Sequence, residues 1–541
     1  MLKILNAESK TIVSGAAVVG ILSLVSRLVG LVRDRLLAGM FGAGDVLDVY
    51  YAAFRLPDLL FNLIVVGALS ASFIPLFSKH YTEGKKSERA WDLTTNVLHV
   101  ILLGMLVLSA VLFFAADPLS ALIAPGFSLE KRHAVAGFTR VMLSAQVLLA
   151  ASMVFGSTLQ GMKRFFLSSF APVFYNVGII VGGLWFTKFL GPIGLAWGVV
   201  FGAFLHLMVQ FGGARAAGYR HRWIFEPKDP DAREVVRLMG PRAAGIGLSQ
   251  LVFVAYTTFA TTLAAGSVTL FQFAYNIQFF PVGIVGVSYA IAAFPTFAET
   301  LGKKDYDGFR AAFSSTVRQV LFFLTPLSVA FLLLRAQAVR IVVGAGAFDW
   351  PSTVATADAL AAFVLSVGAQ SLVYVLARAY YALRDTYTPL VLGLAGDAIG
   401  LLIAFWLAPK YGVAGLGLAF SLGIFIELVL MWVVLRQRLG SLGESTMVRS
   451  VLTVSGAGLV AAVVIQLGKN LVPVAVPLTT FWSVFAQGAV AGGLGLIAYL
   501  GVCALVGSEE LGTVAASLKR KLFRKYQPTE ATPPDTTATG A

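Results

Sequence analysis

The chain has 541 residues, of which 58% are hydrophobic and 13% are charged. Soluble domains average about 45–50% apolar and about 25% charged residues, so this composition excludes an ordinary soluble protein. The mean hydropathy of +0.82 is spread over the whole length, and apolar runs such as residues 97–116 are too long for the strands of a membrane barrel. The sequence therefore predicts an all-α polytopic membrane protein.

The net charge is +14, from 41 Lys and Arg against 27 Asp and Glu. In a soluble protein this balance would indicate nucleic acid, but here membrane topology explains it, and no nucleic-acid partner is expected. The only cysteine, Cys503, excludes a disulfide framework and a multi-cysteine metal site, and we expect it to be a packing residue. The charged N-terminus leads into a full-length apolar run without a cleavage pattern, so we expect it to be retained.

Apolar runs, separated by charged or Gly/Pro-containing breaks, predict fourteen transmembrane helices. In chain order they cover residues 11–36, 47–78, 93–116, 133–161, 166–187, 192–213, 238–264, 268–298, 310–334, 355–382, 388–408, 412–435, 448–468 and 478–507. Assigned to alternate sides of the membrane, the connecting segments carry 27 basic residues on the side of the N-terminus and seven on the other. Short cytoplasmic loops are rich in Lys and Arg, so both termini are predicted to be cytoplasmic.

A weak internal repeat has an offset of about 220 residues. Pro75 in Phe-Ile-Pro-Leu-Phe matches Pro295 in Phe-Pro-Thr-Phe, and Arg164 matches Arg384. An even number of helices per repeat predicts parallel repeats around a central cavity. The predicted parts are a six-helix N-lobe (1–217), a basic cytoplasmic linker (218–232), a six-helix C-lobe (233–440), two additional helices (441–508), and a cytoplasmic basic helix with a disordered tail (509–541).

The sequence contains no phosphate-binding loop, and its five histidines lack metal-ligand spacing. We therefore expect no enzyme activity, no cofactor and no metal centre. His99 and His206 are single polar residues on apolar helices and are expected to be hydrogen-bonded packing residues.

The first two helices carry charges inside apolar runs, which are costly there unless they face an interior or an aqueous cavity. Arg27 and Asp34 are seven positions apart and share a helix face, whereas Arg33 lies about 120° around the helix from Arg27. Arginines around a cavity are suited to a large anionic headgroup such as a diphosphate. The alternative is that residues 33–35 form a solvated helix end and that Arg55 pairs with Asp58.

The segments SRLVGLVRD, FGAGDVLDVYYAAFRLPDLL, ASFIPLF, FAPVFYNVG, MGPRAAGIGLSQ and YYALRDTYTP occur in this order. With them, nearly the whole chain resembles the MurJ (MviN) family of lipid II flippases, in the MATE-like multidrug/oligosaccharidyl-lipid/polysaccharide exporter superfamily. The resemblance implies a bacterial cytoplasmic (inner) membrane protein that moves an undecaprenyl-diphosphate-linked peptidoglycan precursor from the inner to the outer leaflet by alternating access. It also implies that Arg27 and Arg33 bind the diphosphate region, that Asp34 and Asp48 lie in the site or a gate, and that residues 441–508 form a groove for the lipid tail.

The sequence departs from the family pattern at expected cationic positions, where it has Phe61, Asn62 and Asn276, and in the segment Val66-Gly67-Ala68. Arg55, or else Arg140 or Arg242, could restore the positive potential. The candidate substrate-binding residues are Arg27, Arg33, Asp34, Asp48, Arg55, Asn62 and Asn276.

The expected partners are a polyprenyl-diphosphate-linked saccharide, membrane lipid and cell-wall synthesis proteins. Transport would be driven by the membrane potential or by a monovalent cation, for which Asp397 is the candidate ligand. The alternative for Asp397 is a polar contact between helices. The alternative functions are a flippase for another polyprenyl-linked oligosaccharide, a cation-coupled drug exporter and a membrane scaffold that transports nothing.

Overall fold

A computed structural model describes residues 12–66, 73–81, 88–471 and 480–523, and within these ranges it contains helices but no strands. The helices of the N-terminal half are α1 Ile12–Phe41, α2 Asp45–Ala53, α3 Arg55–Phe61, α4 Ile74–His80, α5 Glu88–Phe114, α6 Ala116–Ile123, α7 Leu129–Gly161, α8 Phe165–Val181, α9 Thr187–Leu190 and α10 Gly194–Ala216. The following helices are α11 Pro230–Thr261, α12 Ser267–Pro281, α13 Val287–Gly302, α14 Tyr306–Leu333, α15 Arg335–Val342, α16 Trp350–Val364, α17 Val367–Ala382, α18 Tyr387–Leu439, α19 Glu444–Gly468, α20 Phe481–Leu505 and α21 Glu509–Phe523.

The prediction of an all-α polytopic membrane protein is confirmed, and each of the fourteen apolar runs contains helix. Among the described residues, eight continuous helical stretches are long and apolar enough to cross a membrane, or nine if α16 and α17, bent by 43°, form one span. Two of these stretches, Phe165–Ala216 and Tyr387–Leu439, each include two predicted runs. Gly191 and Gly412 lie between the paired runs and have positive φ, which reverses the chain without a long loop. The count of fourteen spans stays a prediction.

The local geometry repeats at the offset seen in the sequence. Two π-helical segments, Asn62–Val66 and Val282–Gly286, begin 220 positions apart. Gly191 and Gly412 are 221 positions apart, as are Lys163 and Arg384, which have φ values of 58° and 60°. Because non-glycine residues rarely adopt positive φ, this correspondence is strong evidence for an internal duplication.

Close backbone contact holds the N-terminal half together. A Cβ added to Gly178 on α8 would lie 2.2 Å from the Cα of Gly202 on α10, and one added to Gly182 would lie 2.3 Å from the Cα of Gly198. Packing of this kind, in which small residues let two helix backbones touch, is typical of membrane helices because lipid supplies no hydrophobic drive for their association. Cys503 is buried, as predicted for a packing residue.

The segment between the two halves, residues 218–229, is docked along α5. The side-chain amide of Asn96 donates to the carbonyl oxygen of Glu226 and accepts from its N–H, both at 2.8 Å. The ring nitrogen Nδ1 of His99 lies 2.6 Å from the carbonyl oxygen of Ile224. Tyr219 is buried between aromatic rings of the N-terminal half. The linker is therefore part of the packed N-terminal half.

The first turn of α11 is bound to the N-terminal half as well. Arg89 donates to Asp229 at 2.7 Å and to Asp231 at 2.6 Å, and His80 lies 3.0 Å from Asp231. Burial alone would raise the pKa of Asp229, but hydrogen bonds from Arg89 and from the first backbone amides of α11 lower it below the usual value. Asp229 thus caps α11 as an anion and anchors it.

Candidate functional site

Arg33 and Asp34, two of the predicted substrate-binding residues on α1, form an ion pair. Nε and Nη2 of Arg33 donate to Oδ1 of Asp34 at 2.9 and 2.7 Å, and Nη1 donates to Oδ1 of Asn176 on α8 at 2.8 Å. Asp34 is 4% exposed, so the alternative of a solvated helix end is wrong for this residue. A buried carboxylate needs its cation and its hydrogen-bond donors, so this pair must be held by its surroundings.

A chain of amides continues from this pair into the C-terminal half. The Nδ2 group of Asn276 on α12 lies 3.5 Å from Oδ2 of Asp34 and marks a long, weak contact. The Oδ1 of Asn276 accepts from Gln272 at 2.8 Å, and Oε1 of Gln272 accepts from Nη2 of Arg55 at 2.7 Å. We call the six residues of this chain the central cluster: Asn176, Arg33, Asp34, Asn276, Gln272 and Arg55.

Arg55 is buried, and it does not form the ion pair with Asp58 that was the alternative to a role in the site. Its guanidinium lies over the ring of Phe253, 4.6 Å from the centroid, and hydrogen-bonds to Gln272. Both partners belong to the C-terminal half, so Arg55 joins the halves rather than closing a contact within its own helix. Among the residues that the structure describes, its buried Nε atom has no hydrogen-bond partner.

Arg27 lies one to two turns before the ion pair on α1 and is exposed. Its guanidinium approaches the second π-helical segment, because a Cβ added to Gly283 would lie 3.0 Å from Nη1 of Arg27. In the described part of the chain, Arg27 makes no ion pair and no hydrogen bond through its guanidinium. This cation therefore remains free to bind a ligand next to the central cluster.

Asp48 is placed elsewhere, at the N-terminus of α12, and is 1% exposed. Oδ2 accepts from the N–H of Gly266 at 2.7 Å, and Oδ1 accepts from the N–H and the hydroxyl of Thr269 at 2.9 and 2.8 Å. The carboxylate thus caps a helix of the other half, where the helix dipole favours an anion.

Backbone contacts surround Asp48 on both sides. The N–H of Ala347 donates to the carbonyl oxygen of Gly39 at 2.8 Å. A Cβ added to Gly266 would lie 2.4 Å from the carbonyl oxygen of Ala43, and one added to Gly126 would lie 2.1 Å from that of Thr261. We call the Asp48 cap together with these backbone contacts the latch, because it closes the two halves against each other at the end of α1.

The remaining predicted residues do not join the central cluster. Asn62 donates to the backbone oxygen of Asp58 at 2.8 Å, within its own helix. Arg140 forms an ion pair with Asp117 and hydrogen-bonds to the carbonyl oxygen of Phe113, so the idea that it replaces a missing cation is wrong. The side chain of Arg242 lies outside the described residues.

Asp397 is half-buried in the part of α18 that precedes Gly412. Glu427, which follows Gly412 in the same helix, lies close to the turn before Asp397. A Cβ added to Gly393 in that turn would lie 3.0 Å from Oε1 of Glu427. In the described ranges no three His, Cys, Asp or Glu side chains are grouped as metal ligands. The two single histidines are hydrogen-bonded packing residues as expected: His206 with Ser152 at 2.7 Å, and His99 in the linker contact.

Two cavities among the described residues lie away from the central cluster. One, of about 240 Å³, lies between α15 and α20, and the other, of about 180 Å³, lies under the linker at α5. The central cluster is instead closed by direct contacts between side chains of the two halves.

Two members of the central cluster, Asn176 and Gln272, were not predicted. Asn176 lies in the segment FAPVFYNVG, and Gln272 is one turn before Asn276 on the same face of α12. Amides inside apolar runs are the signal that could have found them, because a buried amide needs partners.

Comparisons with known proteins identify the family of the chain. The family model described as lipid II flippase MurJ matches residues 37–485, which is most of the chain. The chain belongs to the lipid II flippase MurJ family. It is therefore related to transporters rather than enzymes, and it is a multi-pass protein of the bacterial inner membrane.

Individual relatives match most of the chain. A probable lipid II flippase MurJ of Rhizobium tropici is 28% identical over 531 residues, covering 96% of this chain and 97% of the relative. The lipid II flippase MurJ of Burkholderia cenocepacia is 26% identical over 428 residues, covering 77% and 82%.

Two solved structures have the same fold. The inward closed conformation of a lipid II flippase MurJ matches with a TM-score of 0.74 and 21% identity, over 90% of this chain and 98% of that chain. An inward-facing multidrug resistance MATE transporter of the MOP superfamily matches with a TM-score of 0.64 and 15% identity, over 78% and 99%. At these identities the likeness establishes the MurJ/MATE fold.

Proposed function

We propose that this chain is a flippase that moves lipid II from the inner to the outer leaflet by alternating access. The observation that carries the proposal is the central cluster, in which charged side chains of one half are bound to amides of the other. Membership of the MurJ family supports lipid II as the substrate. The closed latch supports alternating access, because a protein closed at this end can open at the opposite side of the membrane. The headgroup would be carried between the halves while the polyprenyl tail stays in the bilayer, so that no sugar diphosphate enters hydrocarbon.

The geometry indicates how a diphosphate would loosen the central cluster. Arg27 offers an uncommitted guanidinium, whose planar fork matches phosphate oxygens. A phosphate drawn to Arg27 would also compete with Asp34 for Arg33, whose three nitrogens are all engaged in the closed state. Loss of the Arg33–Asp34 bonds would weaken the contact of Asp34 with Asn276, so binding and separation of the halves are coupled.

The proposal includes the number of membrane spans, their division into lobes and their orientation in the membrane. Fourteen spans form two parallel six-helix lobes, residues 1–217 and 233–440, with both termini in the cytoplasm, so that the latch faces the periplasm. The additional helices of residues 441–508 accompany the lipid tail, residues 509–541 remain at the cytoplasmic surface, and cell-wall synthesis proteins receive the product.

Membrane potential or a monovalent cation would drive the cycle. Asp397 lies before Gly412 in α18 and Glu427 lies after it, and Glu427 packs against Gly393 and Gly396, so the two acids are on neighbouring stretches of the C-terminal half. Neutralising them with a cation would lower their mutual repulsion.

Substitution of Arg27 and Arg33 by Ala tests the proposal. We expect loss of lipid II flipping in reconstituted vesicles and loss of complementation in cells depleted of their own flippase, because the diphosphate loses both cations. Arg27→Lys should retain part of the activity, and Arg220→Ala, at an exposed linker arginine, should retain all of it. Full flipping by a folded Arg27→Ala/Arg33→Ala variant would contradict the proposal.

A second candidate is a flippase for another polyprenyl-linked oligosaccharide. The observation that favours it is the neutral amide pair Gln272 and Asn276, at a position where the resemblance leads one to expect a cation. Comparing flipping of lipid II with that of an undecaprenyl-diphosphate glycan lacking the peptide separates the two candidates. A drug exporter would instead export cationic dyes and would not need Arg27.

A further inference from the structure

Two hydrogen-bond donors of the N-terminal half are buried without partners beside the central cluster. They are the hydroxyl of Tyr51 on α2 and the Nε–H of Arg55 on α3, and neither has an acceptor among the described residues. Each of the two residues is 8% exposed. A buried donor without a bond is costly, because it has lost its water and has gained no other partner. These two donors therefore indicate a state of the protein in which they are bonded.

Both donors lie on one side of a continuous helical stretch. Tyr51 and Arg55 are four positions apart, and Phe54 between α2 and α3 keeps helical φ and ψ angles of −67° and −23°. The ring of Tyr51 packs edge-on against Phe273 on α12, with centroids 5.8 Å apart, and Arg55 hydrogen-bonds to Gln272 on the same helix. Since α12 belongs to the C-terminal half, separation of the halves uncovers both side chains.

The Tyr51 hydroxyl is also close to the ion pair of the central cluster. It lies within electrostatic range of Arg33, Asp34 and Arg55, yet it hydrogen-bonds to none of them. The three nitrogens of the Arg33 guanidinium are engaged by Asp34 and Asn176. The hydroxyl is therefore a neutral donor beside the cation that is expected to meet the diphosphate.

Packing does not explain this hydroxyl. The ring of Tyr51 makes edge contacts with Tyr50 at 5.2 Å and with Phe273 at 5.8 Å, and a phenylalanine would keep both without burying an unbonded O–H. By contrast, the buried hydroxyl of Tyr380 on α17 donates to the carbonyl oxygen of Met431 at 2.8 Å. The Tyr51 hydroxyl is suited to a state in which the halves are apart.

We propose that the Tyr51 hydroxyl binds the saccharide of the lipid-linked substrate when the halves separate, with Nε of Arg55 as a second donor. This role rests on the flippase function proposed above. The first sugar is joined directly to the diphosphate, so a donor beside Arg33 meets that sugar when Arg27 and Arg33 hold the phosphates. A neutral phenol suits the hydroxyl and carbonyl oxygens of a sugar, whereas guanidinium groups are the better match for phosphate oxygens.

The same donors influence the conformational equilibrium. In the closed state both are buried and unbonded, whereas in the separated state the saccharide accepts from them. A ligand favours the state in which it makes more interactions, so the saccharide shifts the protein toward separation of the halves. Tyr51 thus acts as a positioning and specificity residue, in addition to the arginines that bind the diphosphate.

The ligand selectivity of Tyr51→Phe tests the proposal. Native mass spectrometry of the purified full-length protein gives its affinities for lipid II and for undecaprenyl diphosphate, which has no saccharide. The original chain should bind lipid II more tightly. Tyr51→Phe should weaken lipid II binding about fivefold and leave undecaprenyl diphosphate binding unchanged, since one neutral hydrogen bond to the saccharide is lost. Arg27→Ala should weaken the binding of both ligands.

Tyr380→Phe is the matched control, because it removes a buried hydroxyl that is bonded. It should lower the temperature of thermal unfolding and leave both affinities unchanged. Tyr51→Phe should not lower that temperature, because its hydroxyl has no bond to lose in the closed state. A purely structural role of Tyr51 would leave the preference for lipid II over undecaprenyl diphosphate unaltered.

Three outcomes would overturn the proposal. Unchanged affinities in Tyr51→Phe would remove the hydroxyl from the site, and equal weakening of both ligands would assign it to the diphosphate. Loss of thermal stability as large as in Tyr380→Phe would show that the hydroxyl is bonded in the closed state. The measurement needs no transport: a chain that selects lipid II through Tyr51 but does not flip it would contradict the proposed flippase function alone.

Discussion

The two halves of the protein meet in two ways, at the central cluster and at the latch. The central cluster consists of long polar side chains, with one weak contact of 3.5 Å between Asn276 and Asp34 and one exposed cation, Arg27, beside it. The latch is a buried carboxylate with three short hydrogen bonds and glycines that let two backbones touch.

This difference separates recognition from closure. A contact made by flexible side chains can exchange one partner for a ligand at small cost, whereas a contact between packed backbones is either made or absent. The central cluster is therefore suited to respond to substrate, and the latch is suited to define a closed state. Substitutions in the two regions should have different consequences.

The largest effect is expected at the latch, for Gly266→Ala. Gly266 has a φ of 90°, and its added Cβ would lie 2.4 Å from a backbone oxygen. Backbone strain and overpacking together should destabilise the closed protein by about 3 kcal/mol. Gly191→Ala is the matched control, because Gly191 has a φ of 67° with nothing within 4 Å, and it should cost about 1 kcal/mol. Thermal unfolding measures both, and equal losses would contradict a close-packed latch.

A smaller effect on stability is expected at the central cluster, for Gln272→Leu. The substitution removes the amide oxygen that accepts from Arg55, which is buried, so its guanidinium loses a charge-assisted hydrogen bond and the cost should be about 2 kcal/mol. A double-mutant cycle with Arg55→Gln should give a coupling of about 1 kcal/mol. Flipping should change much more than unfolding, and a variant that unfolds readily but flips at the original rate would contradict a role in recognition.

The smallest effect on stability is expected at the ion pair of Asp385 with Arg438. Both residues belong to the C-terminal half, so the pair is a reference for the contacts between the halves. Burial alone would raise the pKa of Asp385, but hydrogen bonds from Thr388 and the charge of Arg438 lower it to about 2. The unfolded value is about 3.9, so the stabilisation is complete above about pH 4 and is lost as the pH falls toward 2.

Asp385→Asn should consequently lower stability by less than about 1 kcal/mol near neutral pH, since the pair is partly exposed. The difference from the original chain should disappear on acidification to about pH 2 in thermal unfolding measurements. A difference that persisted unchanged at that pH would assign the effect to packing instead of charge.

The helices were predictable from the sequence because an apolar run of membrane length has few alternatives. The breaks were not, since a π-helical segment such as Val282–Gly286 keeps the apolar pattern and changes only the hydrogen bonding. Gly191 and Gly412 appeared as run boundaries but not as sharp reversals with positive φ.

The site was predictable only in part. A charge inside an apolar run identified Arg27, Arg33 and Asp34, because burying it is costly. Their partners could not be read from spacing: Asn176 is 143 positions from Arg33, and Asn276 is 242 positions from Asp34. Arg55 was predicted as a site residue, but its partner could not be read from the sequence, because the alternative partner Asp58 is one turn away whereas Gln272 belongs to another helix.

The docked linker limits how the protein can change shape. A loose tether would add conformational freedom between the halves, but residues 218–229 run along α5 and Arg89 and His80 bind the first turn of α11. A conformational change must therefore be absorbed by bending within α11 or by undocking of residues 218–229, and the energy needed for either makes the connection between the halves stiff. The connection between the halves is therefore an anchored segment that resists their relative movement, and not a flexible linker.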